Sequence, residues 1–463
     1  MMNIKRLILV AALTAILGGV CNAQDQIFKN GDEVCFIGNS ITYNGGFYHN
    51  IALFYATRYP KEKINIYNCG IGGNVAANVI SRMDKDILVH HPKWSVVMLG
   101  MNDVNRELYS KENKGKPGIE EKKKQALDTY YRNYDIIIQT LLKNQSRIIL
   151  QTPTIYDQTA ALPSQVFMGR NDALKICAGY IKSAGEKYGL KVVDYWTILN
   201  DITTRLQASD STATVISGDR VHPGPVGHFV MGYEFLKTMK VQPYVSQVEI
   251  DANKTDPKSI VALNCIITNP RISPQALSFS SLEHALPFPV MKNAEQALSL
   301  VPFTEELNKE VLKVKSLKSG IYQLMIDGIV IGTYSNMDFE KGINLSQKAN
   351  TPQNIQTLKV LKLFQNYWNL EATVRWVRGL EIGRFNSEKY KSLKDIEDYF
   401  NAQIALIKDT TSVAYKDMIK NRDNFLDGKS KEKDMLAKMQ DLHDQIYLIN
   451  QPVVHQFEIL KKE

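Results

Sequence analysis

Five short apolar runs, spaced through the first half of the chain, limit the fold more than any other feature. They read "EVCFIG" from Glu33, "INIYNCG" from Ile64, "WSVVMLG" from Trp94, "RIILQT" from Arg147 and "LKVVDY" from Leu190. Each is rich in Val and Ile, lacks strict alternation and ends in glycine or polar residues. That pattern suits strands covered on both faces. Residues 120–144 and 171–189 lie between runs and carry apolar positions at helical spacing. Strand and helix in alternation predict a parallel sheet in a three-layer α/β/α unit over residues 24–242. Such sheets bind ligands beyond the carboxyl ends of their strands. Ser40, Gly73 and Asn102 follow the first three runs directly.

The pattern changes after residue 242. Residues 243–348 hold short alternating segments, the clearest being "GIYQLMIDGIVIGTY", where Asp327-Gly328 between apolar stretches signals a hairpin. A small β domain is expected there. Residues 349–463 read as helical. Thr351 suits a helix cap, with Pro352 in the first turn. Val360, Leu363, Tyr367, Leu370, Val374 and Val377 form one apolar seam, and Met435, Met439, Leu442, Ile446 and Ile449 form another. Helices that pack on each other are expected. Trp368 and Trp376 belong to the first seam as core residues, while Arg375, Arg378 and Arg384 are expected to be solvated.

Residues 1–23 carry Lys5 and Arg6, an apolar run from Leu7 to Val20, and small residues before a cleavage point after Ala23. This is the pattern of a signal peptide, so a secreted or periplasmic protein is expected. Lipid attachment at Cys21 is the second reading. No further segment reads as a membrane span. The formal net charge of +8 comes from scattered lysines, which argues against a nucleic-acid groove. Beyond the leader, Cys35, Cys69, Cys177 and Cys265 remain. Disulfides are permitted in that compartment, but Cys35 and Cys69 fall in strands and read as small core residues. No spacing suggests zinc.

Ester hydrolysis by serine needs a base, a partner that orients the base, and donors for the oxyanion. In "SGDRVHPGPVGH", Asp219 and His222 are three residues apart, close enough for one helical or near-helical turn to join carboxylate and imidazole. Gly73 in "NCGIGGN" offers a backbone N–H with no side chain to block it, and Asn102 in "LGMND" offers an amide. Taken singly, each has a plain alternative: a turn serine, a surface Asp/His pair, a glycine turn, a strand cap. Asp103 reads as a partner for the loops, His90 and His91 as exposed, and His228 as lining the rim of the site.

The four blocks in this order, Gly-x-Ser-Ile, Asn-x-Gly-Ile-x-Gly, Gly-x-Asn-Asp and Asp-x-x-His-Pro, resemble the SGNH/GDSL hydrolase family. The resemblance runs from Glu33 to about Met239. It implies a flavodoxin-like α/β/α domain that hydrolyses esters with no metal or cofactor. Ser40 would be the nucleophile and give one oxyanion N–H. Gly73 and Asn102 would complete the hole. His222 would act as base and acid, oriented by Asp219. Where the family usually has Gly-Asp-Ser, this chain has Gly38-Asn39-Ser40, which puts the packing of that loop in question. The substrate class implied is a small-molecule or glycan ester, foremost an O-acetyl group on a carbohydrate. Acyl transfer to a glycan hydroxyl, or glycan binding by an inactive hydrolase fold, are the rival readings.

Overall fold

The computed structural model describes residues 27–385 and 389–462. The signal peptide read over residues 1–23, and Cys21 with it, lies outside the described residues. The α/β unit consists of β1 (Glu33–Gly38), α1 (Ser40–Tyr43), α2 (Gly46–Arg58), β2 (Asn65–Gly70), α3 (Ala76–Arg82), β3 (Trp94–Met98), α4 (Ile119–Lys143), β4 (Arg147–Gln151), α5 (Arg170–Tyr188), β5 (Lys191–Val193), α6 (Tyr195–Gln207) and α7 (Pro225–Thr238). All five apolar runs form strands. They lie in the order β2-β1-β3-β4-β5 and every pairing is parallel.

That order places the chain's reversal point at β1, with β2 on one side and β3 on the other. Gly38 stands in register with both Gly70 and Met98. The loops after the first three strands therefore emerge side by side, at the position where open α/β sheets bind ligands. Helices cover the sheet because its strands are apolar on both faces. Phe36 of β1 meets Phe47 and Tyr48 of α2 and Phe235 of α7. Each fully buried ring of this kind contributes about 1.5–3 kcal/mol. Among the described residues no helix is long and apolar enough to cross a membrane.

Two further sheets follow. Their strands are β6 (Tyr244–Asp251), β7 (Val261–Leu263), β8 (Cys265–Ile272), β9 (Ala276–Glu283), β10 (Lys309–Lys315), β11 (Ile321–Ile326), β12 (Ile329–Ser335) and β13 (Ile343–Asn344), with short helices α8 (Phe303–Leu307) and α9 (Asn336–Lys341) between them. The hairpin at Asp327-Gly328 is present, and both residues have positive φ, 51° and 75°, as a two-residue type I′ turn requires. One sheet runs β13-β10-β6-β7. The other is completed by β14 (Val454–Lys461), in the order β12-β11-β14-β9-β8. The two share one core that includes Ile250, Phe279, Leu324 and Phe457.

The expectation of helix through to residue 463 is corrected here. His455, Phe457 and Ile459 are buried and alternate with more exposed neighbours, which is the two-residue period of a half-covered strand. Before it come α10 (Pro352–Gly383), α11 (Leu393–Ala405), α12 (Val413–Ser430) and α13 (Glu432–Ile449). Thr351 Oγ1 caps α10 by accepting the Asn354 N–H at 3.2 Å. The two apolar seams meet where α10 packs on α13. Trp368 is stacked between His49 and Phe364, and Trp376 packs near Phe425, so both tryptophans are packing residues.

Candidate active site

The turn after β1 exposes Ser40 through close backbone packing. A Cβ on Gly38 would fall 2.2 Å from Thr42 Oγ1 and 2.7 Å from the Met98 carbonyl oxygen, so only glycine fits. Asn39 is buried and caps α1, its Oδ1 accepting the Ile41 N–H at 3.1 Å. The cap needs one acceptor oxygen, which Asn keeps when it replaces Asp. That answers the packing question raised by this departure.

His222 Nε2 lies 2.7 Å from Ser40 Oγ, and His222 Nδ1 lies 2.5 Å from Asp219 Oδ2. The other Asp219 oxygen accepts the N–H groups of Val221 and His222 and the Ser217 hydroxyl. Partial burial works against the charge on Asp219. The hydrogen bonds from His222, Val221 and Ser217 overcome it and hold the carboxyl well below its ordinary range.

The turn that joins Asp219 to His222 is not helical. Arg220 has a φ of 66°, and this left-handed residue folds the four-residue segment back on itself. Its guanidinium is buried and donates to the carbonyls of Ser164, Asp157, Ala160 and Leu162. Those bonds repay the strain and fix the turn. Sequence reasoning passed over Arg220, because a lone arginine in a Pro/Gly-rich segment reads as surface.

On the other side of Ser40, Gly73 has a φ of 76° and open space where a Cβ would stand. Its glycine is thus required by conformation rather than by crowding. Asn102 Nδ2 donates to the Asn74 carbonyl at 3.1 Å, which ties the loop after β3 to the loop after β2. Among the described residues, neither the Ser40 nor the Gly73 N–H has an acceptor within the protein. Both donors are free for a bound oxygen. Asp103 accepts the N–H groups of Ala76 and Gly100 at 2.7 and 3.0 Å. Burial pushes its carboxyl up to about 6 despite those bonds. It holds loops together, as its position after Asn102 suggested.

Three expectations change. Arg375 is buried and bonded to Asp86 and the Gly70 carbonyl, where solvation was expected. His90 stacks on Tyr67 at 3.9 Å instead of standing free. His228 is 7% exposed with Nδ1 unpartnered, and burial lowers it to about 3, so it is a neutral packing residue against Phe47. A separate cavity of about 430 Å³ opens along the free edge of β2, lined by Tyr67, Tyr367, Trp368 and His443 among others. Ser40 and His222 do not line it. Among the described residues no three His, Cys, Asp or Glu side chains converge as metal ligands.

A parallel sheet with a serine, a histidine and an aspartate in hydrogen-bonded sequence beyond its strand ends is the arrangement of a serine hydrolase built on an α/β/α sheet. The comparisons make that class specific. The GDSL-like lipase/acylhydrolase family matches residues 36–229. A solved structure of a gut microbial diltiazem-metabolizing enzyme is 31% identical, covering 95% of this chain and 99% of its own, with a TM-score of 0.85. An acetylxylan esterase of Geobacillus stearothermophilus is 24% identical over 227 residues, covering 45% of this chain and 94% of the relative. The chain belongs to the SGNH/GDSL hydrolase family and is a carboxylic-ester hydrolase.

Proposed function

We propose that the protein is a secreted O-acetylesterase of carbohydrates that works through an acyl-enzyme on Ser40. The observation that carries the mechanism is the unbroken line of hydrogen bonds from Asp219 through His222 to Ser40 Oγ. In this reading Ser40 Oγ attacks the ester carbonyl and its proton passes to His222 Nε2. Asp219 holds the Nδ1 proton and steadies the imidazolium. The oxyanion is met by the N–H groups of Ser40 and Gly73 and the Asn102 amide. The alcohol leaves with the proton from His222. Water, deprotonated by the same nitrogen, then releases the acid and restores Ser40.

The acetylated carbohydrate is supported by the likeness to an acetylxylan esterase across the α/β unit, and secretion by the leader pattern. A second reading, a small non-carbohydrate ester as substrate, draws support from the enzyme named for diltiazem, whose likeness extends over the C-terminal half as well. The test is hydrolysis of 4-nitrophenyl acetate and longer acyl esters, then of acetylated xylo-oligosaccharides and diltiazem. Ser40→Ala is expected to remove activity to near background. Asp219→Asn is expected to lower kcat by roughly 10³–10⁴-fold. Activity that survives Ser40→Ala would reject the mechanism. Activity confined to diltiazem would reject the carbohydrate.

A further inference from the structure

Helix α10 sends Arg375 to the back of the candidate active site, one turn beyond Glu371, which bonds Tyr48 and His49 of α2. Arg375, only 6% exposed, sets its guanidinium fork on Asp86. Nη1 lies 2.6 Å from Oδ1 and Nη2 lies 2.8 Å from Oδ2, while Nε donates to the Gly70 carbonyl at 2.8 Å. Asp86 also receives Arg82 Nη1. Arg82 uses its remaining donors on the carbonyls of Gly38 and Cys69 and on Asn74 Oδ1.

The oxygens held in this way are not scattered. Gly38 immediately precedes Asn39 and Ser40. Cys69 and Gly70 end β2, where the loop to Gly73 begins. Asn74 closes that loop, and its carbonyl receives the Asn102 amide. Two guanidinium groups and one carboxylate thus grip the roots of the loops that carry Ser40 and Gly73, and through Asn74 the residue that Asn102 leans on. Arg82 and Asp86 come from the α/β unit itself. Arg375 comes from α10, 289 residues after Asp86.

Resting on the esterase reading, we infer that Arg375 is a positioning residue for the oxyanion site, supplied by the C-terminal half of the chain. It touches no reacting atom. It keeps the Gly70 end of β2 and both Asp86 oxygens in place, so that the Ser40 and Gly73 N–H groups are aimed before substrate arrives. Donors of this kind act because they are already aligned, and a displacement of about 1 Å can lower a rate by around 100-fold. Lysine cannot take the role. Its three donors all radiate from one nitrogen, where this position needs a planar fork with a third donor behind it.

The test uses the full chain with Arg375→Lys, which keeps the buried charge, and Arg375→Gln. Arg378→Gln serves as the control, since Arg378 is on the same helix and, among the described residues, donates to the Lys85 carbonyl at 3.3 Å, away from the loop roots. For each, kcat and KM are measured with 4-nitrophenyl acetate well below the variant's Tm, beside the rate of Ser40 labelling by a fluorophosphonate. Arg375→Lys is expected to lower kcat roughly 10- to 100-fold with KM within about twofold, and to slow labelling in parallel. Arg378→Gln is expected to stay within about twofold on both. A folded Arg375→Lys with unchanged kcat overturns the inference. So does an equal loss in Arg378→Gln, or an Arg375→Lys chain that cannot fold, which would make the role one of structural support. A wild-type chain inert to both ester and fluorophosphonate would instead reject the esterase reading, and the inference with it.

Discussion

At the α10 junction, Asp86 lies between Arg82 and Arg375, all three buried and both guanidinium groups bonded to the one carboxylate. At the junction with the β-sheets, Glu283 and Glu310 are buried near each other, and among the described residues no cation is bonded to either. Glu283 accepts from Ser246 Oγ and Gln353 Nε2, while neither Glu310 side-chain oxygen has a hydrogen-bond partner among the described residues. Arg58, whose charge acts on Glu310 without bonding to it, gives its Nη donors to the Gln242 and Leu307 carbonyls and Asn308. Burial works against the charge on all three carboxyls. At Asp86 the arginines outweigh it and bring the carboxyl below its ordinary value. At Glu310 nothing does, and burial with the Glu283 charge pushes it well above. The first cluster therefore depends on being ionised and the second on holding its protons.

The strongest way to break the paired cluster is Asp86→Ala. It strands two buried guanidinium groups and is expected to cost about 3–5 kcal/mol in equilibrium urea unfolding. A loss under 1 kcal/mol would mean that water reaches the site. Next comes Glu310→Gln. A carboxyl raised in the folded state contributes stability that is fully present below its unfolded pKa and is lost as pH rises through the folded one. The substitution removes that penalty, so a gain of about 1–2 kcal/mol is expected at pH 8 and none at pH 4. An equal effect at both pH values would show that Glu310 does not titrate between them.

The smallest effect is expected outside both clusters, at the Lys63–Asp444 pair between the β2 side and α13, whose side chains are 38% and 55% exposed. Solvent screens such a pair. Lys63→Ala is expected to cost no more than about 0.5 kcal/mol, and less again in 1 M salt. A loss comparable to Asp86→Ala would undo the distinction drawn between buried and exposed charge.

The same contrast explains what could be read in advance. The strands were legible because they are runs of Val and Ile. Ser40, Gly73 and Asn102 stand just past the ends of such runs, and Asp219 and His222 stand three apart before the last helix of the unit. The order of the four blocks, through its resemblance to a known family, marked them where no single residue did. The side chains of Ser40, His222 and Asp219 do meet in space. Arg82, Asp86, Arg220 and Arg375 were not legible. A charged residue has no local mark of burial; its partners are brought in by the fold from far along the chain, and the sound default is solvent. The alternation of β14 was visible in "VHQFEILK", but it followed a long helical stretch, and nothing nearby indicated which sheet it would join.

That strand has a consequence for how the molecule assembles. β14 occupies the middle of its sheet, between β9 and β11. Its Gln456 bonds to Ser280, 176 residues earlier, and to Asp327, 129 residues earlier. Until β14 arrives, β9 and β11 each present an unpaired edge, and the hairpin that starts at β11 has no neighbour on that side. The sheet must wait for all of α10 to α13 to be made before its central row can close. Long loops must be ordered before they are rewarded, which slows folding and leaves strand edges open to other chains meanwhile. A segment that reads as an appendix is thus the keystone of the sheet it enters.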